Sequence, residues 1–270
     1  MYPYIHTGFG DVYTFQLAVI TGFVVMVAVI HTLLKSAKDR DREEVYIFAK
    51  VFISAFSGYI FSAVFDALFK LRQNDGFKIS GVTFYGGLIG SAICMYFLLR
   101  IFRKNTEYTV RQWFNILTVP LISFHIFGRI GCFLGGCCYG KATESPIGVY
   151  FADVGYRCYP TQLIEAFALI LILVLVVTIG SKDKFKMYLL FYSVARFFVE
   201  FLRGDNRGEG VFGLSPAQTV SVCIWAFVFL WALKDKLTLS TVNASASDEF
   251  EKIGELFKSD KNTDENSSHN

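Results

Sequence analysis

Two arginines stand where arginine is costly. Arg129 and Arg196 lie within otherwise apolar runs of the chain, and a charged side chain in a membrane span costs at least ~2.5 kcal/mol on insertion scales, so such residues mark function by default. Arg129 follows His125 by four residues, and Cys132 lies three further on; Tyr192, Arg196, Glu200 and Arg203 are spaced by four, four and three. On a helix each set shares one face. Guanidinium presents a planar fork of donors matched to phosphate oxygens, so the first chemistry to consider is the binding of a phosphate ester. Glu200 can pair with Arg196 or with Arg203, which lowers the cost of burying all three. Taken by itself, the second set reads equally well as a structural ion pair that locks helices together.

Around Arg129 the sequence runs Gly128-Arg129-Ile130-Gly131-Cys132-Phe133-Leu134-Gly135-Gly136-Cys137-Cys138-Tyr139-Gly140. So many glycines predict a broken or loosened helix end, with backbone N–H groups beside Arg129 that a phosphate could use. His125 has two readings, a general base with a reference pKa of about 6.5 or a packing residue that donates to a carbonyl. Cys132, Cys137, Cys138 and Cys158 cluster around this loop. Their spacing lacks the paired CxxC of common zinc sites, so a disulfide stapling the loop is favoured over a metal, with a reactive cysteine nucleophile as a third reading.

The elements that must hold these residues are membrane helices. The 270 residues are 53% hydrophobic and 18% charged, with 29 phenylalanines, against about 25% charged in soluble domains. Net charge +3 does not point to nucleic acid. Apolar runs predict seven spans, at Val12–Leu34, Val45–Phe69, Ser80–Ile101, Trp113–Leu134, Thr161–Ile179, Phe185–Leu202 and Ser215–Leu233, each near the ~20 residues a helix needs to cross. The absence of alternating strand patterns argues against a barrel. The fold class is therefore all-α, with a seven-helix membrane domain over residues 1–237. Met1–Asp11 contains no Lys or Arg, so the first run reads as a retained span. Residues 238–270 are rich in Ser, Asp, Glu, Asn and Lys and form a polar tail unable to bury a core.

Loop charges set a direction. With the N-terminus outside, the inner side carries Lys35, Lys38, Arg40 and Arg42, then Arg100, Arg103, Lys104 and Arg111, then Lys182, Lys184 and Lys186, then Lys234 and Lys236. The outer side carries only Lys70, Arg72 and Lys78, Lys141 and Arg157, and Arg203 and Arg207. The basic excess favours N-out, C-in. In that frame spans four and six end outside, and spans three, five and seven begin there with Phe84-Tyr85-Gly86-Gly87, Tyr159-Pro160-Thr161-Gln162 with Glu165, and Ser215-Pro216-Ala217-Gln218. Five polar or Gly-rich segments gather on one face, which scattered structural ion pairs have no reason to do.

These residues resemble the prolipoprotein diacylglyceryl transferase family of bacteria. The Gly128–Phe133 segment with Gly136 and Gly140 is similar to the family signature. Tyr85-Gly86-Gly87-Leu88-Ile89-Gly90, Tyr159-Pro160-Thr161-Gln162-Leu163-Ile164-Glu165 and Tyr192–Arg196 continuing to Val199–Arg203 follow in the family's order over about residues 12–234. The resemblance implies an inner-membrane enzyme with seven spans and the N-terminus outside. It implies transfer of a diacylglyceryl group from phosphatidylglycerol to the lipobox cysteine of a preprolipoprotein, with release of glycerol-1-phosphate and no metal or soluble cofactor. Arg129, Tyr192 and Arg196 take the positions of the family's essential residues, with His125 and Glu200 as further catalytic candidates. Arg129, Tyr85, Gly86, Gly87, Arg203, Gln162 and Glu165 are expected to bind substrate, and membrane lipids to surround the site.

The chain also departs from the family pattern. Tyr85 stands where the family has a histidine, Cys132 where its signature has an asparagine, Cys137 where it has an acidic residue, and Phe15 where its first span has a tyrosine. Proton handling then falls to Tyr85, His125 or Glu200. Two other functions remain beside the expected one: a related lipid-linked transferase with a different acceptor, and a non-catalytic lipid-binding or transport protein.

Overall fold

The structure is a computed structural model that describes residues 3–8, 10–72, 84–179, 183–204 and 213–237. It forms two units, Met1–Asn206 and Arg207–Asn270. The polar tail from residue 238 onward lies outside the described residues.

The first unit is helical. Its helices are α1 (Thr14–Leu33), α2 (Arg40–Arg72), α3 (Phe84–Ile101), α4 (Val110–Leu134), α5 (Thr161–Thr178) and α6 (Lys184–Val199). In the second unit α7 spans Pro216–Leu237. Ser215 and Gln218 form its capping box, Gln218 N–H donating to Ser215 Oγ at 3.3 Å and Ser215 N–H to Gln218 Oε1 at 3.0 Å, as expected of Ser-x-x-Gln before an apolar run. Five helices, α1, α2, α4, α5 and α7, are long and apolar enough to cross a membrane among the described residues. Gly86–Ile101 is a shorter apolar helix. Along α2 and α5 large side chains such as Phe52, Phe56, Phe167 and Val174 are exposed, as a lipid-facing surface requires.

Two short antiparallel hairpins accompany the helices, β1 (Tyr4–Thr7) with β2 (Gly10–Tyr13), and β3 (Val149–Phe151) with β4 (Tyr156–Cys158). The span pattern gives no hint of them. Their signals are local: Gly10 and Gly155 turn the chain at φ +128° and +78°, in the region where a side chain is strained.

Lipid tails provide no hydrophobic drive between helices, so small residues must let backbones approach. A Cβ on Gly22 of α1 would lie 2.7 Å from Phe127 Cβ of α4, and one on Gly131 of α4 would lie 3.1 Å from Ala18 Cβ of α1. A Cβ on Gly58 of α2 would meet the Gly87 carbonyl of α3 at 2.7 Å. Gly87, expected among the substrate contacts, thus lies against α2.

At the end where α2 and α4 begin, Ile30, Leu34, Tyr46, Ile47, Met95, Leu99 and Trp113 form one core. There the buried Glu43 carboxylate accepts hydrogen bonds from Thr106 Oγ1 and from the Glu107 N–H at 2.9 Å. Trp113 Nε1 donates to the same Thr106 hydroxyl at 3.0 Å. These bonds satisfy a carboxylate that could not otherwise be buried. The second core, Ile122, Ile126, Leu169, Ile172, Val176, Tyr188 and Tyr192, joins α4, α5 and α6 directly beneath the charged residues.

Candidate active site

The helix carrying His125, Arg129 and Cys132 does not break at the glycines. It runs to Leu134, and the reversal comes at Gly136, φ +75°, with Cys138 following at φ +65°. Gly131 instead admits α1. Because α4 persists, His125 and Arg129 both meet Tyr192 of α6. The His125 and Tyr192 rings are 4.7 Å apart, and Arg129 Nη2 donates to the Tyr192 hydroxyl at 3.0 Å.

Glu165, one turn into α5, organises the cluster. Its Oε2 lies 2.5 Å from Arg129 Nε and its Oε1 lies 3.2 Å from Arg196 Nη1. Arg196 Nη1 also reaches Glu200 Oε2 at 2.7 Å, and Arg203 Nε lies 4.0 Å from the same oxygen. Glu200 therefore pairs with both arginines that the sequence offered it. The helical stripe ends earlier than expected: α6 stops at Val199, residues 200–202 form a 3-10 turn, and Arg203 is extended. Arg203 is buried nonetheless, as are Arg129, Arg196 and Glu165. Among the described residues, three buried guanidinium groups thus gather around the carboxylates of Glu165 and Glu200. Donors held in advance in this way can stabilise an anion.

Tyr188 belongs to the same constellation, although the sequence reading did not name it. Its hydroxyl shares a 3.0 Å hydrogen bond with His125 Nδ1, and its ring stacks on Tyr192 at 5.8 Å. The signal was present, since Tyr188 stands four residues before Tyr192 on the face that carries Arg196.

The segment between α4 and α5 closes over this cluster. Gln162 Nε2 donates to the Cys137 carbonyl at 2.6 Å, and Thr161 Oγ1 to the Cys138 carbonyl at 2.8 Å. Lys141 N–H donates to the Leu202 carbonyl at 2.7 Å and Gly140 N–H to that of Tyr159 at 2.9 Å. A Cβ on Gly140 would lie 2.7 Å from the carbonyl oxygens of both Leu202 and Tyr159, so only glycine allows this crossing. Burial pushes the Cys158 thiol pKa up.

The expected disulfide is not formed: all six cysteines are thiols. Instead the sulfur atoms of Cys132, Cys137 and Cys138 all lie within 4.8 Å of one another. The turn at Gly136 and Cys138 folds the adjacent pair back over the helix end, a result that linear spacing does not show.

Of the remaining expected residues, Gly86 and Gly87 lie in the first turn of α3, the side chain of Tyr85 is outside the description, and the Ser215–Gln218 segment belongs to the second unit. On the face of α4 that meets α1, Phe127 and Ile130 line an apolar groove of about 690 Å³ shared with Leu17, Ala18, Thr21 and the first hairpin.

Comparison with known proteins agrees with the sequence resemblance. A sequence model described as prolipoprotein diacylglyceryl transferase matches residues 4–233. The chain is 31% identical over 223 residues to a phosphatidylglycerol–prolipoprotein diacylglyceryl transferase of Clostridium tetani, covering 76% of this chain and 88% of that one. It is 34% identical over 211 residues to such a transferase, numbered 2, of Clostridium perfringens, covering 71% and 79%. With the protein of Chlorobaculum tepidum that carries the same description, identity is 37% over 154 residues, covering 54% of this chain and 52% of that one.

Proposed function

The chain belongs to the prolipoprotein diacylglyceryl transferase family, and on that premise we propose how its buried cluster performs the transfer. It is a bacterial membrane enzyme that moves a diacylglyceryl group from phosphatidylglycerol to prolipoprotein. The single observation that carries the proposal is the cluster in which Glu165 bridges Arg129 and Arg196 while Arg129 donates to Tyr192.

The lipid phosphate docks against the clustered guanidinium groups, with Arg129 and Arg196 as its principal donors, Arg203 next to them and Tyr192 beside the reacting carbon. Gln162 and Glu165 position these groups. The acceptor is the thiol of the lipobox cysteine. Its sulfur attacks the glyceryl carbon bonded to phosphate oxygen, that C–O bond breaks, and glycerol-1-phosphate leaves with the electron pair. Guanidinium donors stabilise the charge that gathers on the departing phosphate. The apolar groove between α1 and α4 supports a place for an acyl chain. The thiol proton goes to His125, whose imidazole stands against Tyr192. Both Glu200 pairings are with guanidinium groups, which makes it the poorer acceptor.

Seven spans, with the N-terminus outside and the C-terminus cytoplasmic, put this cluster at the outer leaflet. The basic loops and the helix ends at Leu134 and Val199 support that orientation. The assay follows glycerol phosphate released from labelled phosphatidylglycerol in the presence of a lipobox peptide. Release that depends on the peptide cysteine is expected. Lipid binding without release, with every cysteine peptide tried, would overturn the proposal. The substitutions at Tyr85, Cys132 and Cys137 favour a second reading, transfer to another acceptor, for which release would require a different thiol or hydroxyl.

A further inference from the structure

Cys132, Cys137 and Cys138 are not used by the cluster of arginines and carboxylates, yet they stand next to it. Cys132 is three residues beyond Arg129 on α4, and Gln162, which holds the Cys137 carbonyl at 2.6 Å, is three residues before Glu165 on α5. Three residues of helix rise about 4.5 Å. Cys132 thus lies about one turn beyond Arg129 on α4, and the loop that carries Cys137 and Cys138 is tied to α5 about one turn before Glu165.

Their convergence is built by the backbone. The Cys137 N–H donates to the Cys132 carbonyl at 3.1 Å, and Thr161 and Gln162 fix the carbonyls of Cys138 and Cys137. Cys138 is the sole non-glycine residue with positive φ among those described, at +65°. Strain of this kind persists where the surroundings hold it, and it clusters at ligand clamps. The result is three sulfur atoms within 4.8 Å of one another. Tetrahedral zinc with Zn–S bonds near ~2.3 Å needs sulfurs roughly 3.8 Å apart, a contraction within reach of side-chain rotation.

We propose that Cys132, Cys137 and Cys138 bind one Zn²⁺ ion and leave its fourth tetrahedral position for the thiol of the acceptor peptide. The assignment rests on the transfer reading above. A set of three sulfurs without carboxylate or imidazole selects a thiophilic ion, and three protein ligands with an open position are the pattern of a catalytic zinc site. A thiol that joins zinc is deprotonated outright, and the thiolate is the nucleophile. The acceptor proton passes to His125 or to water as the sulfur binds. A sulfur electron pair then forms the S–C bond, the C–O bond to phosphate breaks with its pair going to the phosphate oxygen, and the neutral thioether leaves the metal. No atom is oxidised or reduced. The site supplies a thiolate in a chain that has tyrosine, at position 85, where its family has histidine.

The test uses the full chain, reduced, stripped by a chelator and reloaded with Zn²⁺ or with Co²⁺ as a spectroscopic probe. One zinc per chain is expected, with affinity falling at least tenfold in Cys132→Ser, Cys137→Ser and Cys138→Ser but not in Cys94→Ser or Cys223→Ser. With cobalt, sulfur-to-metal charge-transfer absorption of three thiolates should rise to that of four on adding lipobox peptide, and not with the peptide whose cysteine is serine. Zinc affinity equal to that of the triple serine variant, a disulfide among the three in rapidly alkylated protein, or no added thiolate from the peptide would each overturn the assignment. Undiminished glycerol phosphate release by metal-free Cys137→Ser sinks the zinc and leaves the transfer standing. A fourth thiolate without any release sinks the transfer and leaves the zinc.

Discussion

Arg129 Nε and Glu165 Oε2 lie 2.5 Å apart, joining α4 to α5. Both side chains are almost fully buried, and the second Glu165 oxygen faces Arg196 at 3.2 Å. One carboxylate thereby fixes two guanidinium groups from different helices. Removal of one member of a buried ion pair is costly because the partner charge stays buried.

Glu165→Ala is accordingly expected to destabilise the protein by about 3–5 kcal/mol, since it removes the one carboxylate that the two arginines share. Thermal unfolding in detergent measures this. A midpoint equal to that of the wild type would show that the pairing contributes no stability.

Arg129→Lys should lower turnover at least tenfold, about 1.4 kcal/mol in the barrier. Arg129 uses Nε for Glu165 and Nη2 for Tyr192, and a lysine nitrogen cannot occupy both places. Tyr192→Phe should be severe as well, because it deletes the hydroxyl that Arg129 holds while keeping the ring against His125 and Tyr188. Wild-type rates in folded variants of both would assign the pair a structural role only.

His125→Gln is expected to cost about 10²–10⁴ in rate if His125 takes the acceptor proton. Tyr188→Phe, which removes the hydroxyl bonded to Nδ1 at 3.0 Å, should shift the pH profile of turnover while leaving lipid binding intact. An unchanged profile in both variants would exclude proton transfer through this imidazole.

Gly140→Ala should destabilise the segment between α4 and α5. The new Cβ would meet backbone oxygens of Leu202 and Tyr159 at 2.7 Å, and backbone yields less readily than a flexible side chain. Overpacking of this kind costs about 1–3 kcal/mol. Faster proteolysis between residues 135 and 160 is the expected readout, and protection equal to wild type would contradict it.

Labelling tests the orientation. With native thiols masked, a cysteine introduced at Ala142 should react with an impermeant reagent added to intact cells. Reaction only from the cytoplasmic side of inverted vesicles would reverse the proposed topology.

Much of this was legible in the chain itself. Span periodicity placed α1, α4 and α5 within a few residues of their bounds, because the ~20-residue apolar requirement is local and strong. The loss of charge tolerance in lipid made Arg129, Arg196 and Glu200 conspicuous. The helix bounds that differed did so at polar ends: α2 begins at Arg40, where Glu43 finds partners in the loop before α4, and α6 ends at Val199. Neither boundary is written in hydropathy.

The sequence by itself determined which residues are too polar for lipid and must therefore gather, and its motifs identified the family. Tertiary structure decided the partners. Glu165 bridges Arg129 and Arg196, Tyr188 reaches His125, and Gly87 serves the approach of α2. It also decided that the cysteines converge as a sulfur triad rather than a disulfide. The physical reason is one of range. Insertion cost and helical periodicity act along the chain and can be read from it. Ion pairs and sulfur clusters depend on how helices rotate against one another, and small residues such as Gly22, Gly131 and Gly140 set that packing by allowing backbones to touch.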